Sequence, residues 1–193
     1  MFGKDYYQPL FAKIREAGVK PGMYLECFQL PTKDYIDDIA ETFDKNNLIL
    51  VISPISGNEK LRRENGKYFS NDDFLKTIEY MLSKGITFQL YYTLNPVGET
   101  KEQFMDTYFQ MSYLRIGYGL VPQQVFYQCV VIDPLAGMRN FEGICVEYNT
   151  FMDYYRYCQI PTSQIFTSSG YLDGGEVPMD EKYNMYKSIF NIS

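Results

Sequence analysis

Four short apolar runs, near residues 23, 48, 86 and 125, alternate with stretches of helical periodicity, and this alternation leaves few folds open to the chain. Parallel neighbours cannot be joined by a tight turn, so strand–helix–strand repeats imply crossover connections and an α/β domain on a parallel sheet. Residues 23–28, 48–52, 86–93 and 125–132 read as the strands. A first helix over about 9–17 sets Leu10, Phe11 and Ile14 on one side, with Gly18 as its stop. Thr32 opens a second with Tyr35, Ile36, Ile39, Ala40 and Phe43 inward. Ser70-x-x-Asp73 opens a third with Phe74, Leu75, Ile78, Met81 and Leu82 inward and Gly85 as its stop, and Thr100-x-x-Gln103 a fourth with Phe104, Thr107, Tyr108 and Met111.

At 193 residues a single domain, 1–193, is expected, with 1–142 as the βα part and 143–193 as a helical cover. That cover reads as a tyrosine-dense helix over 146–158, a Ser/Gly/Thr-rich loop at 161–175 and a last helix at about 180–190. The loop's Gly-Gly and Asp residues match no phosphate or calcium motif. A net charge of −6, with Arg62, Arg63 and Lys67 as the one basic cluster of note, argues against a nucleic-acid surface. No apolar stretch reaches the ~18 residues of a membrane span, and the N-terminus lacks an apolar signal core. Four scattered cysteines fit reduced thiols and a cytoplasmic protein. The absence of histidine leaves proton chemistry to carboxylates, Lys, Cys or Tyr.

Polar turns follow the second and third strands, where an α/β protein places its ligand groups. The first is Ser53-Pro54-Ile55-Ser56-Gly57, continued by a basic segment to Gly66-Lys67; the second is Asn95-Pro96-Val97-Gly98-Glu99-Thr100. The pattern SP-SG-E--R---GK, then a strand and P-GET, resembles the later half of the radical S-adenosylmethionine barrel. Within that superfamily it is similar to the Fe–S oxidoreductases that often carry a cobalamin-binding domain upstream. The likeness covers residues 23–137 and implies a partial (βα) TIM-like barrel with parallel strands. Ser53, Ser56, Gly57, Arg62, Lys67, Asn95 and Gly98 would then be cofactor-binding, Ser56 toward the ribose, Gly57 allowing close approach, and Arg62 or Lys67 pairing the methionine carboxylate. The valine between Pro96 and Gly98 departs from the family's PGET turn.

The complete enzyme of this resemblance would use S-adenosylmethionine and a 4Fe–4S cluster held by CxxxCxxC. Here Cys27, Cys129, Cys145 and Cys158 lie no closer than thirteen positions apart, so no cluster, no other metal and no bound cofactor is expected in this chain. The resemblance therefore implies the C-terminal portion of such an enzyme, inactive alone. The alternative is a non-catalytic barrel module that binds an adenosyl ligand or a partner protein. Outside the two turns, Glu26 and Gln29 lie near a strand end, Glu99 is suited to a helix N-terminus, and Asp133-Pro134 reads as a strand stop. Cys27 and Cys129 read as buried, inert thiols. The strand at 23–28 is expected to be a sheet edge available for a homodimer.

Overall fold

The computed structural model describes residues 3–129, 145–146, 149–159, 171–172 and 175–192. Strands β1 (Met23–Cys27), β2 (Leu48–Ile55), β3 (Thr87–Thr93) and β4 (Val125–Gln128) lie side by side in chain order, every neighbouring pair parallel. The crossovers pass through α2 (Lys33–Thr42), then α3 (Glu59–Glu64) and α4 (Asn71–Ser83), then α5 (Lys101–Tyr118). Helix α1 (Lys4–Glu16) precedes the sheet. Beyond it come α6 (Phe151–Cys158), an antiparallel pair of β5 (Cys145–Val146) and β6 (Tyr171–Leu172), and α7 (Met179–Phe190).

The helix starts follow from their caps. Thr32 and Ser70 accept from the backbone N–H groups of Tyr35 and Asp73, and Thr100 and Gln103 cap each other reciprocally. Helix α1 begins at Lys4, earlier than periodicity alone suggests, and carries Pro9 in its interior. The hydrogen bond lost there is offset by aromatic burial, with Tyr7 4.7 Å from Tyr35 and Phe11 5.1 Å from Phe43, ring centre to ring centre.

Strand β2 does not end at Ile52. It continues through Ser53, Pro54 and Ile55, so part of the expected turn is strand. Ile52 faces Leu90 and Ile55 faces Tyr92, which leaves one extra residue on β2 as a bulge. Pro54 has no N–H to contribute to the ladder and is tolerated there.

Strand alternation divides the sheet. Leu48, Leu50 and Ile52 of β2, Phe88, Leu90 and Tyr92 of β3, and Val125 and Tyr127 of β4 enter one core. The same core takes Tyr7 and Phe11 of α1, Ile36 and Ile39 of α2, Phe74, Ile78 and Met81 of α4, Phe104 and Met111 of α5, and Tyr186 and Phe190 of α7. The intervening strand residues point to the other face, where Tyr24 and, just past β1, Phe28 remain more than half exposed. Among the described residues no helix is long and apolar enough to cross a membrane. Asp133-Pro134 and most of the loop read at 161–175 lie outside the described residues, as do the thiols of Cys145 and Cys158.

Candidate functional site

A cleft of about 520 Å³ opens at the carboxyl ends of the strands, on the face away from the helix-lined core. Strand alternation supplies its walls: Tyr24, Glu26 and Phe28 from the first strand and the residue after it, Ser53 and Ile55 from β2, Tyr91 and Thr93 from β3. Ser53 Oγ donates to Glu26 Oε1 at 2.8 Å, tying β1 to β2 across the floor. Tyr91 stacks on Phe126 at 4.7 Å with an interplanar angle of 12°. The hydroxyls of Tyr91 and Tyr24 both donate to Gln89 Oε1, at 3.2 and 3.4 Å. Burial, helped by the hydrogen bond with Tyr24, pushes the Tyr91 phenol up to about 12.

Lys67 reaches the cleft because of how α3 ends. Gly66 adopts φ +79°, its N–H donates to Arg63 O at 3.0 Å, and the Lys67 N–H donates to Arg62 O at 3.0 Å, a Schellman cap. The turn that needs this glycine therefore delivers the lysine. Lys67 Nζ donates to Phe28 O at 3.0 Å and sits 3.8 Å from the centre of the Phe28 ring. Burial pulls its pKa below the ordinary lysine value, and the Glu26 carboxylate opposes that shift. Gln29 faces this loop and not the cleft: its amide donates to Gly66 O at 2.7 Å and accepts from the Tyr68 N–H at 3.0 Å.

Of the residues expected to hold a cofactor, Ser53, Lys67 and Asn95 line this cleft together; Ser56, Gly57, Arg62 and Gly98 do not. Ser56 is fully buried, its hydroxyl 2.9 Å from Thr107 Oγ1 on α5. Gly57 does answer to a close approach, but of α5: a Cβ on it would lie 2.5 Å from Asp106 O. The Arg62 guanidinium is fully buried as well and donates to Ser56 O, Phe69 O and Asn71 Oδ1. Its plane lies near the Phe69 ring, 4.9 Å from the ring centre, and burial lowers its pKa. Gly98 supplies φ +64° to the β3–α5 turn. Glu99, the residue before the α5 N-cap, forms a buried ion pair with Lys182 of α7 at 2.6 Å, while Lys182 Nζ also donates to Leu94 O at 3.0 Å. The α5 N-terminus is served by Glu176, whose carboxylate accepts from the Lys101 N–H at 2.8 Å.

Tyr24, Tyr91, Thr93 and Gln128 also line the cleft without having been singled out from sequence. For Tyr24, Tyr91 and Thr93 the signal was available in the polar and aromatic residues at alternate positions of MYLECF and TFQLYYT, where a parallel strand buried on both faces would be apolar throughout.

The cleft suits an organic ligand with both charges and an aromatic part. Among the described residues no group of three or more His, Cys, Asp or Glu is placed to hold a metal ion. Cys27 is buried, and burial pushes its thiol up to about 11. The sequence matches no protein-family model and no curated protein.

Proposed function

We propose that this chain is the later part of a (βα) barrel of the radical S-adenosylmethionine kind and that its cleft binds an adenosyl ligand bearing an amino-acid end. The observation that carries this reading is the meeting of Lys67, Glu26 and Ser53 with an aromatic wall at the carboxyl ends of adjacent parallel strands. Strands in sequential parallel order with helices on one face suit the winding of such a barrel. In this reading Lys67 pairs the ligand carboxylate, in place of Arg62, which is consumed inside the protein. Glu26, exposed at the rim, takes the ammonium group or the ribose hydroxyls, and Ser53 supports it. Tyr91 and Tyr24 offer ring faces to the adenine. The ligand would supply the reactive chemistry when bound; the chain's own part is to bind, orient and keep out water.

Calorimetry with S-adenosylhomocysteine tests this. Wild-type protein should bind it, and Lys67→Met and Glu26→Gln should each weaken binding by about tenfold, as expected for losing one charge-assisted contact. Equal heats from wild type, Lys67→Met and Glu26→Gln would refute the assignment.

A further inference from the structure

The wall of the cleft at Ile55 is held in a conformation that its residue type resists. Ile55 has φ +69°, a region that β-branched side chains scarcely visit. The Ser56 N–H donates to Pro54 O at 2.8 Å, closing a three-residue γ-turn over Ile55, and the form with positive φ at its centre is the strained one. Such a conformation persists only where its surroundings over-determine it.

Those surroundings lie behind the cleft and touch none of its open volume. The Thr107 hydroxyl on α5 meets Ser56 Oγ at 2.9 Å and accepts from the Gly57 N–H at 2.8 Å. The Asn58 N–H donates to Ser56 Oγ at 3.0 Å. Arg62 grips Ser56 O with two donors, Nε at 3.1 Å and Nη2 at 2.8 Å. Gly57 allows the segment to press against the α5 backbone. Hydrogen bonds from Thr107, Asn58 and Arg62 thus converge on the residues just after Ile55, while Ile55 itself and Ser53 face the ligand space.

We infer that Thr107 and Arg62 are positioning residues, clamping a strained γ-turn so that Ile55 and Ser53 are set for the ligand before it arrives. Strain retained at a cleft wall, where a glycine would relieve it, is pre-organisation of the binding surface. This rests on the ligand reading above, and the tests separate the two.

Strain is read without ligand. Ile49 lies on the same face of β2, also half-buried, with ordinary backbone angles. Ile55→Gly should leave the urea midpoint at or above that of wild type, because glycine takes up positive φ without strain, whereas Ile49→Gly should lower it. Equal losses in the two variants would overturn the strain. Positioning is read by S-adenosylhomocysteine affinity. Thr107→Val removes the anchor without altering the cleft lining and should weaken binding about fivefold or more, the equivalent of one hydrogen bond, while Thr107→Ser restores it. A folded Thr107→Val protein with wild-type affinity would overturn the positioning role alone. No binding by wild-type protein would overturn the ligand reading and the positioning role with it, leaving the stability comparison to decide the strain.

Discussion

Gly57 and Arg62 both spend themselves inside the protein, the one against the α5 backbone and the other on three acceptors. A glycine after a strand announces a close approach, but only the fold reveals that the approaching body is α5. Gly57→Ala should therefore destabilise by about 1–3 kcal/mol in urea unfolding, whatever its effect on ligands, because the added methyl meets backbone. Arg62 makes no ion pair within 4.0 Å of a carboxylate among the described residues; its three acceptors are two carbonyls and an amide oxygen in a fixed fan. Arg62→Lys keeps the charge but can satisfy only part of that fan, and a loss of roughly 2–4 kcal/mol is expected. Lys67 gives a pH signature. Its folded pKa is lowered by burial, so between that value and the ordinary one near 10.4 the unfolded chain binds more protons and stability rises with pH. Below that window the cost of burying the charge is present in full. Wild-type protein should thus gain stability relative to Lys67→Met as pH is raised from 7 toward 10, the shared tyrosines cancelling in the comparison. A constant difference would contradict this.

Among the elements, α7 has a role that local pattern did not reveal. Capping residues at Thr32, Ser70 and Thr100 were readable because each cap is completed within three residues. The Glu99–Lys182 pair joins positions 83 apart, with no periodicity to link them. Together with Glu176 at the head of α5 and the Tyr186 hydroxyl on Val125 O at 2.7 Å, it fastens α7 to the β3–α5 turn and to β4. Breaking a buried pair strands a charge, so Lys182→Met is expected to cost about 3–5 kcal/mol in urea unfolding. Lys182→Met combined with Glu99→Leu should recover most of that loss, since an apolar pair has no charge to desolvate. Additive losses in the double variant would show that the two residues act separately.

For the whole molecule, the alternation of strands and helices was enough to yield the parallel α/β sheet, whereas the gathering of α1, α2, α4, α5 and α7 into one core among the described residues was not visible until the alternate strand residues could be followed to their faces. Strand β1 has only β2 as a strand neighbour among the described residues, and no lysine or proline guards its sequence. Two copies joined edge to edge at β1 would satisfy its free backbone groups. Light scattering at micromolar concentration should report a dimer that Leu25→Lys dissociates; a monomer indifferent to that change would count against this edge. The long span between Glu99 and Lys182 also orders events in time. As the chain emerges from a ribosome, β1 to β3 and their crossovers can assemble early from local segments. At roughly 5–20 residues per second, the 83 residues that follow Glu99, up to and including Lys182, take about 4–17 s to be made. For that interval Glu99 waits for its lysine, and the turn beside the cleft is among the last parts of the molecule to be finished.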